Sequence, residues 1–235
     1  PIAARLREQH ADVQQARAAV QAQVAAAALL PAAQLRSLFT TPAAQRWPRK
    51  PIAELCELLP SKSIALAGDA EVRAVTSACL TENSFHPAGV KTARMWAVDA
   101  HESLVRPGEI LIARSNTPEL VGRASIYKGD PKGVVASDLT IRLWPGPHML
   151  GEFLARYLSF LYTTGYWRER AGGASGTMKK ITRSQINAEQ IPLPSIAEQR
   201  AAASRLEAEF SAVSAFQNFL NARLAALDHL PAALL

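Results

Sequence analysis

The sequence predicts an α+β fold in which a loop-rich mixed segment is flanked by two long helices that form an antiparallel coiled coil. Three observations predict it: a self-repeat at the two ends, a seven-residue apolar period sustained in both copies, and dense turn chemistry between them. Leu-Pro-Ala-Ala stands at residues 30–33 and again at 230–233. The same offset lays Arg5-Leu6 on Arg205-Leu206, Val13 on Val213, Val20 on Leu220 and Val24 on Leu224. Self-similarity at a fixed offset marks one structural element used twice.

Residues 1–40 carry the first copy, with Leu6, Val13, Val20 and Ala27 at heptad spacing and Ala16 and Val24 between them. An apolar residue every seven, sustained over several turns, keeps one seam facing a partner helix. A helix of that length extends roughly 40 to 45 Å at its usual rise. Such a rod hides its stripe against the other copy, a second molecule or the middle segment, and the matched stripes favour a coiled coil. Residues 41–194 read as the mixed domain. Ile110–Ala113 and residues 140–143 are strand-like, residues 149–163 form an amphipathic helix with Phe153, Leu154, Tyr157, Leu158 and Leu161 on one face, and Ile191-Pro-Leu-Pro is an edge strand. Pro87, Pro107-Gly108, Pro118, Gly129-Asp130-Pro131 and Pro145-Gly-Pro147 punctuate the rest. Residues 195–235 repeat the helix, with Leu206, Val213, Leu220, Leu227 and Leu234 in the heptad and Phe210, Phe216, Leu224 and Leu230 between. Pro31 and Pro231 mark a bend or an end at the same place in each copy.

Composition excludes several classes. Cys56 and Cys79 are the only cysteines among 235 residues and have no CxxC spacing, which reads as buried reduced thiols in a cytoplasmic protein with neither zinc nor a disulfide framework. The apolar run at 24–30 is short of a membrane span and no leader pattern opens the chain, so no membrane partner is expected. A helical pattern already under way behind Pro1 reads as a fragment. Formal charge is +6, and residues 41–194 hold 19 basic against 14 acidic groups, which points weakly to a polyanion. GxxxxGK[ST], HExxH, GxSxG, GxGxxG and Asn-Pro-Pro-aromatic are all absent. The five histidines are scattered, and Glu109 and Glu119 have no partner at useful spacing. No catalytic constellation, metal site or bound cofactor is expected.

Two polar loops stand out. In "GEILIARSNTPELVG", Arg114, Ser115, Asn116 and Thr117 leave an apolar strand directly. Arg and Asn can fork onto base edges while hydroxyls suit phosphates, although a self-capped Asn/Ser turn with an exposed arginine fits the same residues. In "SGTMKKITRSQIN", Ser175, Thr177, Lys179 and Lys180 follow Gly172 and Gly173. From Arg168 to Arg183 there are five cations and one acid, Glu169. Point charges on a chain that can approach closely suit a phosphate backbone; a solvated lysine turn is the plainer alternative.

Taken in order, Trp47-Pro48 with Ile52 and Leu55, "LVRPGEILIARSN…LVG" at 104–122, "SGTMKKITRSQIN" at 175–187 and "IPLPSIAEQ" at 191–199 make nearly the whole chain resemble the specificity subunits of type I restriction-modification systems. That resemblance implies a target recognition domain between two conserved spacer helices. Such a subunit does no chemistry: it reads double-stranded DNA, spaces two half-sites with its helices, and directs methyltransferase (modification) and restriction/translocase subunits that use S-adenosylmethionine, ATP and Mg. Full subunits hold two recognition domains. This chain holds one, and so resembles either half of a subunit or a half-sized one that pairs as a homodimer. The shared residues Arg114, Ser115, Asn116, Thr117, Ser175, Thr177, Lys179 and Lys180 are expected on the DNA backbone. Less family-like loops are expected at base edges, carrying Lys62, Arg73, Asn83, Lys91 and Arg94. Phe39 and Phe219 are candidates for partner docking, with core packing the plainer alternative for each. The competing reading is a coiled-coil adaptor that binds protein and no DNA.

Overall fold

In a computed structural model the described residues are 2–81, 84–175 and 177–233. They form two compact units: residues 35–204, and a helical unit of residues 1–34 with 205–235. Helical residues 35–39 and 196–204 thus belong with the mixed unit.

The helical unit is built from all of α1 (Ile2–Ala28), the start of α2 (Leu30–Phe39) and the greater part of the last helix, Ile196–Ala233. Gln217 Nε2 donates to the Ala27 carbonyl at 3.3 Å, and Arg17 Nε lies 3.0 Å from Asp228 Oδ1. Rising numbers on one helix therefore meet falling numbers on the other, so the pair is antiparallel. Val20, Ala27 and Leu220 are buried between them, with Val24, Leu224 and Leu227 packed alongside. Near the start of α1 the seam opens, and Leu6 is 41 % exposed. Two expectations are corrected. Phe216 is exposed, because the seam takes Gln217, four residues after Val213. Pro231 ends nothing, since the last helix runs to Ala233. Pro31 does follow a break at Leu29; at the second position of α2 its missing N–H is one that no helix start satisfies internally. By length and composition Ala4–Phe39 could cross a membrane, with a mean hydropathy of 1.3. Alanines all round the helix raise that mean, which a search for an unbroken apolar run does not register. Leu220→Ala is expected to cost the helical pair about 2–3 kcal/mol, seen as loss of helical circular dichroism at lower denaturant.

The mixed unit opens with α3 (Pro42–Gln45), β1 (Arg49–Pro51), α4 (Ile52–Leu55) and β2 (Cys56–Leu59). It continues with β3 (Ala70–Val75), β4 (Lys91–Met95), α5 (Ala97–Glu102), β5 (Ile110–Ala113), β6 (Ser115–Asn116) and β7 (Ala124–Ile126). Then come β8 (Val134–Ala136), β9 (Thr140–Pro145), α6 (Gly151–Thr163), α7 (Tyr166–Arg170), β10 (Gly172–Ser175), β11 (Met178–Lys180), α8 (Arg183–Ala188), β12 (Gln190–Pro192) and α9 (Ile196–Ala233). Among the described residues these strands make four small sheets, ordered β1-β12, β10-β11-β6, β2-β9-β5-β7 and β4-β3-β8. Every residue of β5 is buried, as a central strand covered on both faces requires.

α6 lays Phe153, Leu154, Tyr157, Leu158 and Leu161 into the core and packs on β7. The ring of Phe39 packs on Phe153, Tyr157 and Phe160 at centroid distances of 5.2–5.7 Å. Phe39 is only 4 % exposed, so it is core and not a docking residue. The "IPLPSIAEQ" motif also has a structural role. Ser195 and Glu198 cap α9 reciprocally, and buried Gln199 accepts from Leu150 N–H and donates to the His148 and Pro194 carbonyls. Burial pushes the Cys56 thiol up to about 12 and raises that of Cys79, so neither is a reactive thiolate.

A buried ion pair ties β9 to the start of β5 within one sheet. Arg142 on β9 meets Glu109 through two parallel bonds of 2.8 and 2.9 Å, and also donates to the carbonyls of Pro60, Glu102 and Leu104. Glu109 therefore does have a partner. Arg142 lies beyond any local spacing, because the pair joins β9 to the residue before β5; Arg106, three residues from Glu109, also reaches it at 3.2 Å.

Candidate nucleic-acid interface

The two polar loops, distant in sequence, share one sheet. β11 pairs antiparallel with β6, placing Lys179 opposite Asn116 and Lys180 opposite Ser115, and β10 closes a hairpin on the other side of β11. Cross-strand partners share a face, so Lys179 with Asn116 and Lys180 with Ser115 line opposite faces. Lys180 is exposed and Lys179 partly so. Ser175 ends β10, Thr177 lies in the turn beside it, and Gly176 is outside the described residues.

Glycine at 173 is required by contact: a Cβ there would lie 2.2 Å from the Met178 carbonyl, whereas one at 172 meets nothing within 4 Å. Gly173→Ala is therefore expected to open the hairpin and weaken duplex binding severalfold. Gly172→Ala should bind like the parent in the same gel-shift titration.

Arg114 anchors the sheet from below. Its N–H donates to the Leu139 carbonyl at 2.9 Å, its own carbonyl accepts from Ile181 N–H at 2.9 Å, and its guanidinium donates to the Asp138 carbonyl at 3.0 Å. Arg183 donates to the Leu58 carbonyl at 3.1 Å. Burial, then the nearby Arg114 charge, pushes Arg183 below the ordinary arginine range. Among the described residues Arg114, Arg183, Lys179 and Lys180 form no ion pair with a carboxylate. Like charges held together without a counter-ion repel, and an anion seated on them relieves that. Asn116 accepts from Thr117 N–H at 2.9 Å, as a self-capped turn does, but Arg114 is partly buried and engaged, not merely exposed.

The base-edge candidates are dispersed. Arg73, Lys91 and Arg94 are exposed on the β3-β4 pair, on strands where loops were expected. Arg94 donates to the Gly68 carbonyl at 2.9 Å and sits opposite Glu71. Lys62 is held by Glu102 at 3.0 Å and Asp99 at 3.4 Å, carboxylates on α5 that raise its pKa and neutralise its charge within the unit. Asn83 lies outside the described residues. Arg183 was visible only as one more cation in a basic run; its place beside Arg114 comes from β11 returning to β6. Among the described residues, no three His, Cys, Asp or Glu are grouped to hold a metal.

No family model and no curated protein matches the chain. Solved structures do. One, described as the structural basis of complex assembly and conformational transition of the type I R-M system, matches with a TM-score of 0.74 at 19 % identity, over 99 % of this chain and 56 % of that one. The HsdS subunit of Thermoanaerobacter tengcongensis matches at 0.61 and 18 %, over 99 % and 55 %. The type I S subunit of M. genitalium matches at 0.52 and 13 %, over 97 % and 58 %. The chain spans about half the length of each. With its paired helices and mixed unit, it has the fold of type I restriction-modification specificity subunits.

Proposed function

We propose that the chain is a DNA-recognition subunit that guides the methyltransferase and restriction subunits of a type I system to their target and makes or breaks no bond itself. The observation that carries this reading is the β10-β11-β6 sheet, where Lys179 and Lys180 stand on β11 beside Arg114 and Arg183, none of the four with a carboxylate partner among the described residues. Lys179 and Lys180 serve the phosphates, and Arg114 braces the strand that holds them. The exposed cations of β3-β4 contribute sequence preference. S-adenosylmethionine, ATP and Mg belong to the partners. Phe216 and Phe219, 44 % and 60 % exposed and one turn apart on α9, offer a docking face for those subunits. Two copies joined as a homodimer would present two recognition domains, with the helices setting the half-site spacing and a palindromic target as the consequence.

Labelled S-adenosylmethionine, incubated with DNA and the chain alone or with added methyltransferase subunits, tests this. Methyl transfer is expected only in the mixture, and methylome sequencing of a host carrying the intact system should show one modified motif. Methylation by the chain alone would refute the assignment; a chain that captures partner subunits but retains no duplex would be an adaptor.

A further inference from the structure

Leu139 is out of keeping with its surroundings. Residues 134–137 and 140, 141, 142 and 143 are buried, yet Leu139 is 56 % exposed. It occupies the third position of a turn closed by Thr140 N–H donating to the Ser137 carbonyl at 2.9 Å. That turn is fixed on every side. Asp138 N–H donates to the Lys62 carbonyl at 3.0 Å, Ser61 Oγ to the Thr140 carbonyl at 3.2 Å, and Arg114 donates to the carbonyls of both Leu139 and Asp138. Single exposed apolar residues are ordinary, but here the bonded turn holds the side chain in one place, so that little freedom would be lost on covering it.

The neighbourhood indicates which surface. Arg114 bonds the turn directly, the next residue, Ser115, pairs with Lys180, and Arg183 stands by Arg114. The only carboxylate on the turn is Asp138. An apolar point inside a cationic rim matches a duplex, whose phosphates meet the rim and whose thymines present a methyl group in the major groove. We infer that Leu139 is a specificity contact that reads a thymine C5-methyl group while Lys179 and Lys180 hold the flanking backbone and Arg114 fixes the turn; this rests on the DNA-recognition reading above.

The test uses the whole chain, a duplex that it enriches from a random library, and copies of that duplex with deoxyuridine replacing thymidine at single positions. At one or two positions the loss of the methyl should weaken wild-type binding about fourfold, the value of one buried methyl-sized group. Leu139→Ser, first shown to melt at the parent temperature, should bind the thymidine and deoxyuridine forms equally. If wild type binds with full salt dependence but no deoxyuridine position matters, or the Ser variant keeps the same discrimination, the inference fails while DNA recognition stands. If no duplex is bound or enriched, the recognition reading fails and takes the inference with it. A Ser variant normal on DNA but poor in capturing methyltransferase subunits would assign Leu139 to a protein contact and overturn the inference.

Discussion

Glu109→Gln is expected to destabilise the mixed unit by about 3–5 kcal/mol, because Arg142 would be left as a buried charge without its counter-ion. Both side chains are almost wholly buried, and their two bonds hold β9 to the start of β5. For a unit of this size the shift corresponds to a fall in melting temperature of about 10 °C. Removing both charges does not rescue it in this protein. Arg142 also satisfies the carbonyls of Pro60, Glu102 and Leu104, and a Glu109→Leu/Arg142→Met variant leaves those acceptors dry at about 1–3 kcal/mol each. Thermal unfolding of parent, single and double variants checks this. A double variant as stable as the parent would show that the pair is replaceable and the carbonyl bonds immaterial.

Lys179→Ala/Lys180→Ala should leave stability unchanged and weaken binding to every duplex alike. Each phosphate contact carries about 0.9 of a unit of salt slope, so losing two should flatten log K against log[salt] by roughly 2 and cost about tenfold in affinity at moderate salt. Arg73→Ala or Arg94→Ala, on the separate β3-β4 sheet, should instead change the sequences enriched from a random pool. A double-lysine variant with the parental slope would remove the phosphate role.

The helical pair was legible in the sequence because a seven-residue period is a local statement that survives without tertiary knowledge. It misled at Phe216, where the four-residue step to Gln217 cannot be told from a three-residue step by apolarity alone, and at Leu6 and Leu230, which are exposed; Leu234 lies outside the described residues. Among strands, β5 and β9 were legible as apolar runs. By contrast β3, with Glu71 and Arg73 facing water, and β4, with Lys91 and Arg94, look like polar loops, since half of each strand is solvated. The site was half legible. Arg114 to Thr117 and Lys179-Lys180 were singled out separately, but their union in one sheet depends on long-range pairing that no local pattern records. The carboxylate partners of Lys62, Asp99 and Glu102, were hidden for the same reason, because they come from another element. Leu139 gave no signal at all: a leucine between two apolar strands reads as core until the turn beneath it is seen.

The most direct measurement is the affinity of the unmodified chain for a random-sequence duplex between 50 and 200 mM salt. The phosphate contacts of Lys179 and Lys180 alone predict a log-log slope of about −2, which contacts from other cations would steepen. A slope near zero, or no retention of duplex even at the lowest salt, would contradict DNA recognition by this chain.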